Sequence, residues 1–174
     1  MRALVTGGAG FVGTNLIKRL LKDGYEVASL DNYSTGFREN QLADCTYITL
    51  DITERFDNWI EKFDVIFHMA ALPRIGPSFE NPTEVVDVNV KGTANVLEYA
   101  RKTKTPVTIC RFYNAYGDYM PMSGGYRTVL PIFLEQYKND EPLTITGDGK
   151  QRRDFTHVDD IVDAMMKVVQ LNKW

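Results

Sequence analysis

A short apolar run, residues 2–5, leads into Thr6-Gly7-Gly8-Ala9-Gly10-Phe11-Val12-Gly13, and Leu16, Ile17, Leu20 and Leu21 then recur at helical spacing. Few structures suit that order other than a strand, a tight glycine turn and a helix. Glycines let the backbone turn sharply and come close to a pyrophosphate, while the unpaired N–H groups and the dipole of the helix favour its negative charge. Asp23-Gly24 ends the helix, residues 26–30 read as a second strand, and Asp31 stands at its carboxyl end. A carboxylate there accepts hydrogen bonds from a ribose diol and repels a 2′-phosphate, which favours NAD over NADP. An ordinary tight turn is the alternative. The strand before it, the helix after it and the acid closing the next strand favour the cofactor.

The chain of 174 residues suffices for a compact domain with a substantial core. Lys and Arg number 20 against 23 Asp and Glu, and no basic block points to nucleic acid. No apolar run is long enough for a bilayer, and the glycine turn interrupts any signal-peptide pattern, so no membrane association and a cytoplasmic location are expected. Cys45 and Cys110 lack metal-ligand spacing, so two reduced, unpaired cysteines and no metal are expected.

Beyond Asp31, residues 32–36 are polar and suited to a loop around the adenosine ribose. Residues 46–50 read as a third strand followed by Asp51 and Ile52, with Asp51 also suited to capping a helix. Phe56, Trp59, Ile60 and Phe63 recur at i, i+3, i+4 and i+7, a helix packed on the sheet. Residues 64–71 read as a fourth strand, apolar along its length after Asp64, as a parallel strand covered on both faces should be. His68 within them reads as a hydrogen-bonded core residue. Residues 72–79 read as a loop, and Asn81-Pro82 as the cap and first position of a helix running through Val86, Val90, Ala94, Leu97 and Ala100. Asn89 is unfavourable inside a helix, which suggests a specific task for its amide.

The G-x-x-G-x-x-G spacing with Asp31-Asn32, His68-Met69-Ala70-Ala71 (H-x-A-A), Asn89-Val90-Lys91-Gly92-Thr93 (N-V-x-G-T), the Arg111 to Gly117 run R-F-Y-N-A-Y-G and Arg153-Asp154-Phe155-Thr156-His157-Val158 together resemble the extended short-chain dehydrogenase/reductase family of NAD-dependent nucleotide-sugar epimerases and dehydratases, UDP-glucose 4-epimerase among them. The resemblance implies an α/β Rossmann-type parallel sheet with helices on both faces. It implies NAD contacts at Gly7, Gly10, Phe11, Val12, Gly13, Asp31, Asn32, Tyr33, Ser34, Thr35, Gly36, Asp51, Ile52, Met69, Ala70, Ala71, Asn89 and Tyr113. Asn114, Val129, Leu130 and Arg153 are the implied contacts of a nucleotide sugar, with a UDP-sugar expected. A guanidinium such as Arg153 suits a diphosphate through bidentate, permanently charged hydrogen bonds. Family dimers commonly pair through two helices per subunit, of which one is missing here, so a homodimer stays an open expectation.

The resemblance breaks after the helix bearing Asn89. Family members follow it with a strand and a helix carrying Tyr-x-x-x-Lys, but no such motif occurs in this chain. One βα module is therefore expected to be missing, and residues 107–111 are expected in the vacated strand position. Tyr113, Tyr116 and Tyr126 lie nearby, but none has a lysine at helical spacing, so the catalytic residues stay unassigned. Loss of a general acid/base alone typically lowers rate about 10²–10⁴-fold. Residues 123–125 read as a mobile loop, with Val129, Leu130, Ile132, Phe133 and Tyr137 as a helix face behind it. A strand is expected at 143–146 and a helix at 158–170 that packs Ile161, Val162, Met165, Val168 and Val169, with Trp174 ending a shortened chain. The expected division is an NAD-binding Rossmann domain, residues 1–117, and a partial substrate lobe, residues 118–174. Three readings follow: a UDP-sugar 4-epimerase-like enzyme, a binder of NAD or nucleotide sugar without turnover, or a truncated gene product with no independent activity.

Overall fold

The computed structural model describes residues 1–56, 62–122 and 127–171. Trp59 and Ile60 of the expected helix, the loop 123–125, Tyr126 and Trp174 lie outside the described residues.

Strand β1 (Arg2–Thr6) leads through the glycine turn to α1 (Phe11–Lys22) and then β2 (Glu26–Asp31). A 3-10 turn (Arg38–Asn40), β3 (Cys45–Thr49) and β4 (Val65–His68) follow. Next come α2 (Ile75–Glu80), α3 (Pro82–Val86), a π-helical turn (Asp87–Gly92), α4 (Thr93–Thr103), β5 (Ala115–Tyr116), α5 (Val129–Lys138), β6 (Thr156–His157) and α6 (Val158–Gln170). The first four strands form one parallel sheet in the order β3-β2-β1-β4, and β5 pairs with β6 separately, also in parallel.

Successive residues of a strand point to opposite faces, and a parallel sheet must bury both. Ala3 and Val5 therefore join Leu16, Ile17 and Leu20 of α1 and Ile161, Val162, Met165 and Met166 of α6 in one core. Leu4, between them in sequence, faces the other way into a second core with Leu30, Ile52, Phe56, Phe63, Val96 and Tyr99. Arg19 of α1 holds both Asp23 and Asp163, which ties α1 to α6 at the surface. Asn81 caps α3 by accepting the Glu84 N–H, and Pro82 occupies the first helical position, as the sequence indicates. No described helix is long and apolar enough to cross a membrane.

Four local expectations are corrected. Residues 107–111 form no strand; Val107 is 54% and Ile109 80% exposed, and β4 ends its sheet. These residues lie within the link 104–114 from the end of α4 to β5, and β5 is already held by β6, so the segment runs between two anchors instead of along β4. Residues 143–146 also form no strand, and their one described attachment is through Thr144, whose N–H and hydroxyl meet the Gln136 amide. Residues 75–79 of the expected loop 72–79 close, with Glu80, into the short helix α2, where the Ser78 hydroxyl donates to the Ile75 carbonyl. Finally, Val86, Val90 and Leu97 are exposed, and the helical segment meets the sheet through Val88, Gly92, Val96, Tyr99 and Ala100. Gly92 explains the choice of face: a Cβ there would overlap the Ile52 side chain, so only a residue without one lets the helix approach this closely.

Candidate functional site

The sheet order places β2 and β3 on one side of β1 and β4 on the other, so the winding reverses between β1 and β4. In open α/β sheets ligands bind in the crevice outside the carboxyl ends of the strands at such a reversal. Register puts Thr6, the last residue of β1, opposite both Leu30 and His68. The glycine turn and residues 69–71 therefore leave the sheet side by side.

Gly7 takes φ +71°, a conformation that favours glycine, and its N–H donates to the Leu30 carbonyl at 2.8 Å. A Cβ on Gly7 would lie 2.7 Å from the Ala70 nitrogen, so the two backbones are in contact. The turn closes when Gly10 N–H donates to the Gly7 carbonyl at 3.2 Å, and α1 starts at Phe11 without a side-chain cap or an acidic residue in its first turn. Its leading N–H groups are thus left for an anionic ligand.

Asp31 is 7% exposed, and its two oxygens accept the N–H of Ala9 and of Tyr33, each at 2.8 Å. The Ala9 carbonyl in turn accepts Phe37 N–H at 3.1 Å and the Asn40 amide at 3.0 Å. Residues 32–36 are thereby folded back over the turn. Within them Tyr33 has φ +59°, lies under the Arg38 guanidinium at 4.0 Å from its ring centre, and bonds Gln41 through its hydroxyl. Gly36 packs on Ala9 so closely that a Cβ would overlap its backbone.

Asp51 accepts the Asn32 amide and the Thr53 N–H, each at 2.8 Å. Burial pushes its carboxyl up, but the Thr53 and Asn32 hydrogen bonds and the charge of Lys91 outweigh burial and hold it below the usual range. Asn32, Ser34, Asp51 and Thr53 face Asn81, Thr83, Glu84, Asp87 and Val88 across an open cleft of about 340 Å³. Ile52 turns away into the second core, so its backbone, not its side chain, adjoins this cleft.

Behind residues 69–71, Asn89 sits in the π-helical turn, where its amide both donates to the Leu72 carbonyl (3.0 Å) and accepts the Leu72 N–H (2.8 Å). The task suggested by its unfavourable position is this brace. Such π turns inside helices frequently mark functional sites. His68 is hydrogen-bonded at both ring nitrogens, to Thr6 and Thr93, as its reading as a satisfied core residue requires.

The structure thus gathers Gly7, Gly10, Phe11, Val12, Gly13, Asp31, Asn32, Tyr33, Ser34, Thr35, Gly36, Asp51, Met69, Ala70 and Asn89 around the carboxyl ends of β1, β2 and β4. Exposed Ala71 continues from them. The residues expected at a sugar nucleotide are less closely gathered. Asn114, with φ +43°, donates its amide to the Asp154 carbonyl at 2.9 Å, which joins the two distant motifs around Asn114 and Arg153 through the β5–β6 pair. Arg153 is exposed and bonds the neighbouring Arg152 carbonyl, Tyr113 is 65% exposed, and Val129 and Leu130 open α5. One link between the two groups was not read from the sequence: buried Asn15 of α1 donates to the Phe11 carbonyl and, at 2.8 Å, to the Asp118 carbonyl just beyond β5. A polar residue among the apolar positions of α1 was the available signal.

Comparison with known proteins agrees with this geometry. The sequence model of the NAD dependent epimerase/dehydratase family matches residues 3–106 and 99–173. A candidate UDP-glucose 4-epimerase of Methanocaldococcus jannaschii is 30% identical over 218 aligned positions, covering 92% of this chain and 71% of that protein. The UDP-N-acetyl-alpha-D-glucosaminuronate decarboxylase of Bacillus cytotoxicus is 28% identical, covering 94% of this chain and 69% of the relative. Among solved structures, a Thermus thermophilus UDP-glucose 4-epimerase in complex with NAD superposes with a TM-score of 0.82 at 25% identity, covering 97% of this chain and 74% of the other. The chain belongs to the NAD dependent epimerase/dehydratase family.

Proposed function

We propose that the chain binds NAD across its glycine turn and presents it to a nucleotide sugar, a UDP-sugar by analogy with its relatives, for hydride removal and return at the sugar ring as in a 4-epimerase. The observation that carries this reading is the meeting of the uncapped start of α1, the contact between Gly7 and Ala70, and Asp31 at one reversal of the sheet. The N–H groups following Gly10 would take the pyrophosphate. Asp31 and Asn32 would take the adenosine ribose, Asp51 the adenine amine, and the backbone of Met69, Ala70 and Ala71 would line the path towards the nicotinamide. NAD, when bound, supplies an acceptor for the hydride. Tyr113 would lie at the nicotinamide end, Asn114 and Arg153 on the diphosphate of the sugar donor, and Val129 and Leu130 against its base. Residues 1–117 would form the cofactor-binding part and 118–174 a partial substrate lobe. The exposed stripe of Val86, Val90 and Leu97 would pair two copies through their helices.

A second reading, NAD or nucleotide-sugar binding without turnover, is favoured by one specific observation. No Tyr-x-x-x-Lys exists in the sequence, and the segment after α4 lies outside the sheet. Titration with NAD and UDP-glucose followed by an assay of UDP-glucose and UDP-galactose interconversion separates the two. Interconversion supports the first reading, and binding of both ligands without hydride exchange selects the second. Tight NAD binding with no sugar binding sinks the epimerase reading.

A further inference from the structure

The ring of His68 lies between two hydroxyls, with Nδ1 2.7 Å from Thr6 Oγ1 and Nε2 2.9 Å from Thr93 Oγ1. A hydroxyl has a single proton to donate, and a neutral imidazole has one donor and one acceptor nitrogen. Thr93 donates its proton to the Asn89 carbonyl at 2.7 Å, so towards His68 it can only accept, and Nε2 carries the ring hydrogen. Nδ1 is then the acceptor, and the Thr6 hydroxyl donates to it while receiving Ala70 N–H at 3.3 Å. The bonds run in one direction, from Ala70 N–H through Thr6, His68 and Thr93 to the Asn89 carbonyl. Asn89 itself grips Leu72 at both its N–H and its carbonyl. The segment leaving β4 is therefore tied at Ala70 and at Leu72, and His68 connects the two ties. Between them stands the backbone that touches Gly7.

Resting on the NAD-binding reading above, we propose that His68 is a positioning residue for the dinucleotide: held as the Nε2–H tautomer between Thr6 and Thr93, it keeps the backbone of residues 69–71 in register with the glycine turn. A protonated ring donates at Nδ1 as well as at Nε2, so Thr6 Oγ1 would have to accept there, its own proton would lose its acceptor, and the one-way run of bonds would be broken. The groups facing the ring are neutral, Thr6 from β1 and Thr93 from α4. Charged residues on the surrounding elements are engaged elsewhere: Asp87 lines the cleft, Lys91 acts on Asp51, Arg2 at the far end of β1 pairs with Glu26, and Asp64 before β4 accepts Arg2 N–H. Burial alone lowers the His68 pKa, which keeps the ring neutral at physiological pH.

The test is calorimetric titration of NAD into wild type, His68→Gln, Thr93→Val and Thr93→Ser, with thermal melts of each free protein. Losing one hydrogen bond of the relay should weaken NAD by about 10-fold in His68→Gln and Thr93→Val, and the retained hydroxyl of Thr93→Ser should restore it. Wild type should lose NAD affinity only as pH falls below about 6.5, and His68→Gln should lose less over that range. Folded variants with wild-type affinity and the same pH profile would overturn the positioning role alone. Absence of NAD binding by wild type would overturn both the role and the reading on which it rests.

Discussion

Asp31 Oδ2 accepts the Ala9 N–H at 2.8 Å, so the acid closing β2 and the turn following β1 are one hydrogen-bonded unit. Replacing Asp31 by Ala leaves the N–H of Ala9 and of Tyr33 without their acceptor. Urea unfolding should show a loss of about 1–3 kcal/mol. Asp31→Asn offers one oxygen where two are used, and it should bind NAD at least about 10-fold more weakly, with reduced preference over NADP. Unchanged stability in Asp31→Ala would mean that the unit contributes nothing.

Two glycines should respond unequally to a methyl group. Gly7→Ala forces a left-handed alanine and a clash with Ala70 and Met69 backbone, and it should cost more than about 2 kcal/mol. Gly76, in the first turn of α2, has open space beyond its chain neighbours, and because Pro77 offsets the helix-forming gain of a methyl its replacement by Ala should change stability by less than about 1 kcal/mol. Equal effects at the two positions, measured by denaturant midpoint, would contradict the local geometry.

Acid should destabilise the fold through His68. Burial holds its folded pKa below the ordinary 6.5, so the unfolded chain takes up the proton first as pH falls. The contribution is complete above about pH 6.5, declines below it and is gone once pH has passed through the folded pKa. Unfolding free energies of wild type and His68→Gln, measured across that window, should converge towards low pH. Parallel curves would show that the ring titrates alike in both states.

The exposed run after α4 gives a sharp stability contrast. Ile109→Ala should change stability by no more than about 0.5 kcal/mol because the side chain is 80% exposed. Phe67→Ala, in β4 and 6% exposed, should cost about 3–5 kcal/mol. A loss of about 2 kcal/mol or more at Ile109 would place residues 107–111 in the sheet after all.

The N-terminal half was legible because its signals are local: apolar runs of the right length, glycines whose spacing matches a turn, and Asp31 at the end of a strand. Residues 107–111 and 143–146 have the same β-branched character as β1, yet a strand exists only where a neighbour is free to pair, and no periodicity contains that information. The helix before residue 107 carries two apolar stripes, and Gly92, with its close approach to Ile52, decides which one meets the sheet. Motifs singled out Gly7, Asp31 and Asn89, which the fold brings to one end of the sheet. They could not reveal the relay through Thr6, His68 and Thr93, which joins residues from three elements, or the reach of Asn15 to Asp118. Individually, threonine, histidine and asparagine at these positions look ordinary.

The central claim is that the turn from Gly7 to Gly13, closed by Asp31, holds NAD. Calorimetric titration of the purified chain with NAD and, separately, with NADP tests it most directly. The account predicts saturable binding of one NAD per chain, with NADP at least about 10-fold weaker because its 2′-phosphate meets the Asp31 carboxylate. No heat with NAD up to millimolar concentration, or NADP bound as tightly as NAD, would contradict it.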